Sequence, residues 1–203
     1  MVKADSTPND DALRRGLEAI LRASPRLMTV LQTARDLGLP DWRVVSGAVY
    51  QTVWNALTGR HPDHGIKDYD VVYFDPDTSW DAEDVWIRRA EAAFPPGLSE
   101  KVEVRNQGRV HLWFEAKFGE AYPPLSRTDE SLERFVCPAF AVGVRLEPDG
   151  RLDIAAPLGL GDLFAMRLRP NPVRPFYAEN YARVTAGLVA RWPEATLEAM
   201  QAP

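Results

Sequence analysis

Apolar positions along the chain change period several times, and each change marks an element. In "DDALRRGLEAILRA", Leu13, Leu17, Ile20 and Leu21 recur at helical spacing, which predicts an amphipathic helix. Pro25 stops it and starts the next, "PRLMTVLQTARDLGL", because proline is tolerated in a helix's first turn. These two helices form a paired N-terminal element. "DWRVVSG" predicts a short buried strand ending in glycine, and Val49, Val53, Trp54 and Leu57 mark the apolar face of a helix that starts at about Gly47. "YDVVYFD" has too few polar residues to face water on either side, so it reads as a covered strand. "SWDAEDVWIRRAEAAF" returns to helical period, with Ser79 as its N-cap.

The second half is more broken. "KVEVRNQ" and "RVHLWFEAKF" predict two strands joined at Gly108 as a hairpin. "SRTDESLERFV" predicts a short helix, and "AFAVGVRLEPDGRLDIAAP" two strands around a Pro-Asp-Gly turn. "GLGDLFAMRLR" and "FYAENYARVTAGLVARW" predict closing helices separated by "PNPVRP". Strands interleaved with helices give an α+β (α/β) domain with a mixed β-sheet and N- and C-terminal helices. Residues 1–9 are polar and predicted loose, and residues 10–203 are predicted to form one domain.

Composition narrows the function classes. At 203 residues the chain can bury a sizeable core, and 45% apolar with 26% charged residues is ordinary globular usage. A net charge of -5 gives no strong nucleic-acid binding signal. The lone cysteine, Cys137, rules out a disulfide framework within the chain and predicts a cytoplasmic setting. Within "RFVCPAF" it reads as a small core side chain. No apolar run approaches the length of a membrane span, and no basic-then-apolar export signal opens the chain.

The candidate chemistry begins with Asp68-Tyr69-Asp70 at the mouth of an apolar strand. Side chains alternate along a strand, so the two acids are expected on one face. Two close carboxylates repel unless a proton or cation lies between them, and magnesium favours such oxygen ligands. A pair like this also occurs at plain polar strand ends. Two further features join it. Ser46-Gly47-Ala48 sits at a strand-to-helix turn, where glycine and a helix N-terminus together can receive phosphate. Glu103 lies inside the apolar context Val102-Glu103-Val104 of a later strand.

A phosphate turn, a paired-acid strand and a third acid resemble the DNA polymerase beta superfamily of nucleotidyltransferases. "SGAVYQTVWNALTGR", "IKDYDVVYFD", "VEVRNQGRVHLWFEAKFG" and "APLGLGDLFAMRLRPNP" further resemble a bacterial nucleotidyltransferase-like family within it, over roughly residues 35 to 175. The resemblance implies the polymerase beta-type core and a transferase moving a nucleoside monophosphate from a nucleoside triphosphate to an acceptor hydroxyl by a two-metal mechanism. It implies magnesium, or manganese in its place, held by Asp68, Asp70 and Glu103, with Glu115 the rival third acid. Gly47 takes the motif glycine, and Ala48 stands where the superfamily has serine. Lys67, Arg105, Asn106, Arg109 and His111 join Ser46, Gly47 and Ala48 as the candidate nucleotide-binding set. The acceptor is not legible.

Other positions carry bland and functional readings together. His111 has no His or Cys at zinc-like spacing, and His61 and His64 in the loop before the acids read as loop polarity, with a metal role as the alternative. Trp54, Trp86 and Trp113 fall on apolar faces and read as core. Asp162 reads as an acid at a helix N-terminus, and the resemblance leaves a lining role open to Asp162 or Asn171. Ala48 and a long interval between Gly47 and Asp68 depart from the superfamily pattern. They motivate the alternative of a catalytically weak nucleotide-binding regulatory or interaction module. An ordinary structural domain is a third reading, but it leaves "DYD" and "RNQGRVHLWF" without a shared purpose.

Overall fold

The computed structural model describes residues 8–173 and 178–198. The N-terminal pair is present as α1 (Pro8–Arg22) and α2 (Pro25–Leu37). Pro8 and Asn9 belong to the first helix, and the rest of the segment predicted loose lies outside the described residues. Pro25 occupies the first turn of α2, and Gly38 ends it in the left-handed conformation at φ 71°.

The sheet starts with β1 (Arg43–Val45), which runs into α3 (Gly47–Leu57) and returns as β2 (Tyr69–Tyr73). Ser79 caps α4 (Trp80–Ala93) by accepting from the Ala82 amide, as its sequence predicts. Then follow β3 (Val102–Asn106), α5 (Phe114–Phe118), β4 (Gly143–Leu146) and β5 (Leu152–Ala155). The order β3-β2-β1-β4-β5 makes one five-stranded mixed sheet, in which only β2 and β3 pair in parallel. The fold is thus α+β. One core joins the N-terminal helices, α3, α4 and the inner sheet face, with Trp54, Tyr69, Tyr73 and Trp192 fully buried.

Three elements differ from their sequence expectations. No hairpin forms about Gly108. After β3 the chain turns into a 3-10 segment, Gln107–Leu112, and then the short α5. The cause is Asn106, whose Oδ1 accepts from the Gly108 amide at 2.9 Å and the Asp75 amide at 3.0 Å, while its Nδ2 donates to the Asp75 carbonyl. That side chain turns the backbone out of the strand and ties it to the loop after β2. Residues Thr128–Arg134 are 3-10, not α-helix. The first closing helix is only α6 (Gly161–Phe164), after which β6 (Arg167–Leu168) pairs with β7 (Thr196–Leu197). The second closing helix is α7 (Ala178–Arg191), and its predicted first residues, 176 and 177, lie outside the described ones.

Candidate active site

The β2–β3 ladder decides which acids meet. Asp70 is the register partner of Glu103 on one side and of Val45 on the other, so all three side chains leave the sheet on one face. That face floors a cavity of about 500 Å3 lined by Val45, Ser46, Asp70, Glu103 and Arg105, among others. Arg105 lies two residues beyond Glu103 on the same face, with Nη2 3.3 Å from a Glu103 oxygen.

Ser46 introduces the second half of the site. Its backbone has φ 62° and ψ −140°, a conformation suited to glycine, directly before α3. The turn sets Ser46 beside Asp70 in the same cavity, and its hydroxyl pulls the Asp70 carboxyl down. At Gly47 an added Cβ would lie 2.8 Å from the terminal nitrogen of the Gln51 side chain, which would have to move aside. The α3 N-terminus therefore begins beside the acid pair, but only Ser46 of the turn lines the cavity, and Gly47 and Ala48 are buried behind it.

The Asp70 carboxyl is pushed up to about 6. Burial is the largest cause, and the neighbouring charges of Asp68 and Glu103 add to it. The Ser46 hydroxyl and Arg105 pull the other way without reversing it. A half-buried carboxyl flanked by two acids favours a proton or a cation, and its donors are hard oxygens, which suit magnesium. Among the described residues, no three His, Cys, Asp or Glu side chains are gathered closely enough to hold a metal ion. Asp70 and Glu103 would supply protein ligands, and a phosphate or water would have to complete the set.

The remaining sequence candidates separate. Asp68 lies just before β2, is exposed, and does not line the cavity, although its charge reaches Asp70. Lys67 is exposed beside it and also outside the lining. Asn106 points to the opposite side of β3, where it ties the loop after β2. Arg109 pairs with the buried Glu83 at 3.0 Å and donates to the Thr78 carbonyl at 2.7 Å, which commits it to the fold. His111 and Glu115 do not line the cavity, and Glu115 is exposed on α5.

Asp162 clamps Arg167 and Arg169, and Asn171 donates to the Glu133 and Phe135 carbonyls, so neither lines the cavity. Cys137 is buried, and burial pushes its thiol up to about 12. Trp54 is core as expected, but Trp113 is 37% exposed and lines the cavity. The sequence reading missed Lys117, Phe118, Arg134 and Arg183, which also line it. Arg183 comes from α7, far along the chain from both acids, so no local pattern could have revealed it.

Residues 32–197 match a family model described as Nucleotidyltransferase, and the chain belongs to that family of enzymes. The match runs from within α2 to the end of β7 and so spans both acid strands. An NMR structure described as revealing a CCA-adding enzyme head domain has the same fold, with a TM-score of 0.71 at 24% identity. The alignment covers 90% of this chain and 96% of that one. No curated protein matches the sequence. Among the described residues, no helix is long and apolar enough to cross a membrane.

Proposed function

We propose that the protein transfers a nucleoside monophosphate from a nucleoside triphosphate to an acceptor hydroxyl, with magnesium, or manganese in its place, in the cytoplasm. The observation that carries this reading is the Asp70–Glu103 register pair, met in one cavity by the Ser46 hydroxyl at the start of α3. The N-terminal end of α3 at Ser46, which lines the cavity, suits the triphosphate. Arg105 offsets its charge from the sheet side. Asp70 and Glu103 would hold the metal, with Asp68 acting through its charge or closing in as a further ligand. Bound magnesium would polarise the leaving pyrophosphate and acidify the acceptor hydroxyl. Glu103 would also take the acceptor proton.

The test is pyrophosphate release from each nucleoside triphosphate with magnesium and a cell extract as the acceptor source. Asp70→Asn should abolish it while the protein stays folded. Wild-type protein that neither binds nor turns over any nucleotide would sink the proposal. A second reading, a nucleotide-binding module with weak catalysis, is favoured by the position of Asp68 outside the cavity and by Ala48, which offers no hydroxyl. It predicts nucleotide binding without transfer.

A further inference from the structure

The cavity that holds the acids has an aromatic wall. Trp113, Phe114, Phe118 and Tyr122 all line it. Phe114 packs against Phe118 and Tyr122 with ring centroids 4.7 and 4.6 Å away, so these three rings support one another. Trp113 stands at the edge of the group, 6.0 and 6.3 Å from Phe114 and Phe118. The core buries Trp54 and Trp192 completely, whereas Trp113 and Phe118 remain 37% and 43% exposed. Lys117 brings its ammonium within 5.4 Å of the Trp113 ring and 5.3 Å of the Phe118 ring. The short α5 arranges this, since Trp113 and Lys117 are four residues apart, as are Phe114 and Phe118.

We infer that Trp113 and Phe118, with Lys117 beside them, form the platform on which the base of the donor nucleotide stacks. The inference rests on the nucleotidyl transfer proposed above. A nucleoside triphosphate is the one participant in that reaction certain to carry a planar ring, whereas an acceptor need carry none. A ligand with phosphates at Ser46 and the acids has its base one sugar away, and the same cavity offers open aromatic faces. Exposed aromatic faces reward stacking whichever base is offered, so the platform supplies affinity more than base identity. Lys117 adds positive charge that the phosphates can use.

Calorimetric titration of the full chain, with magnesium present, separates ring from phosphates. The two probes are a non-hydrolysable adenosine triphosphate analogue and inorganic tripolyphosphate. Wild type should bind the nucleotide at least about tenfold more tightly. Trp113→Ala and Phe118→Ala should each lose about tenfold for the nucleotide and leave tripolyphosphate unchanged, while Trp113→Phe keeps most of the preference. Nucleotide affinity unchanged in both alanine variants overturns the platform, and would be the result if the wall serves an aromatic acceptor or a partner protein. Equal loss for both probes overturns it as well, since the change would then be structural. Wild type that binds tripolyphosphate with no preference for the nucleotide removes the platform alone. Wild type that binds neither removes nucleotidyl transfer and the platform with it.

Discussion

Asp70 and Glu103 are direct register partners in the parallel β2–β3 ladder, and their carboxylates leave the sheet on the same face. Like charges placed opposite each other destabilise a ladder unless something else occupies the space between them. The pair is therefore a local cost built into an otherwise apolar strand, and its consequences can be measured.

The first is a pH dependence of stability. Asp70 ordinarily titrates near 3.8 and is held up to about 6 by burial and by Asp68 and Glu103. Between those values the folded chain binds more protons than the unfolded chain. Stability is then fully present below the lower value, falls as pH rises through the window, and levels off above it. Asp70→Asn has no charge to bury, so it should be more stable than wild type at pH 8 and equal to it at pH 3.5. After allowance for partial exposure the gain is on the order of 2 kcal/mol, or about 5 °C in Tm. Thermal melts at the two pH values without divalent ions check this, and a variant less stable at pH 8 would contradict it. Magnesium should stabilise wild type with the opposite trend, more strongly above pH 6, because the metal takes the unprotonated carboxylate.

The strain at Ser46 gives the second. A serine at φ 62° carries a conformational cost that glycine would relieve, and its hydroxyl is the return, since it favours the ionised Asp70 carboxyl. Ser46→Gly should therefore be about 1 kcal/mol more stable than Ser46→Ala, which keeps the strain and loses the hydroxyl. Both should weaken turnover. Chemical denaturation of the two variants tests the order, and the reverse order would mean the turn is not strained.

How much of this was legible in the sequence varies with the range of the interaction that decides each element. The helical periods of α1 to α4, the Ser79 cap, the Pro-Asp-Gly turn and the Asp70 and Glu103 strands are set by neighbours in sequence, and these stand where the patterns put them. The segment after β3 is set by Asn106 bonding to Asp75 and Asp77, some thirty residues away, and alternation alone misread it as a second strand. Gly108 seemed a hairpin turn, yet its role is close approach, because a Cβ there would lie 2.6 Å from the Asp75 carbonyl oxygen. Arg105 and Arg109 looked alike in sequence. Only the fold shows that one faces the cavity and the other is paired with buried Glu83.

That contrast is the third prediction. Arg109→Ala leaves Glu83 buried and uncompensated, while the other Glu83 oxygen still accepts from the Asn106 amide at 2.8 Å. Loss of one partner from a buried pair costs about 3 kcal/mol or more. Arg105→Ala removes an exposed side chain whose ion pair among the described residues is the long one to Glu103, so stability should move by less than about 0.5 kcal/mol. Nucleotide affinity should reverse the ranking. Arg105→Ala should lose several-fold in Kd, and Arg109→Ala, measured where it is folded, should lose little. Equal effects on both properties would show that the two arginines do not divide the work this way.

The last prediction separates an enzyme from a binding module, and Glu103 is the residue that does it. Glu103 stands beside Asp70 but is exposed, and Arg105 already offsets part of its charge. Its carboxylate therefore adds little to the fold and is free to act on a ligand. Glu103→Gln keeps the shape and one acceptor oxygen but removes the charge and the ability to take a proton. A base matters to the chemical step more than to the ground-state complex. Nucleotide binding in Glu103→Gln should accordingly stay within about tenfold of wild type, about 1.4 kcal/mol. Pyrophosphate release should fall by a factor of at least about a hundred. Removing the charge also relieves Asp70, whose carboxyl should titrate lower than in wild type. The paired measurement is calorimetry with a non-hydrolysable triphosphate and single-turnover pyrophosphate release with acceptor present. Transfer that survives in Glu103→Gln excludes it as the base and leaves the exposed Asp68 as the next carboxylate to substitute. Tight binding by wild type with no release for any nucleotide would instead favour the module, in which the acid pair serves only to hold a metal–nucleotide complex.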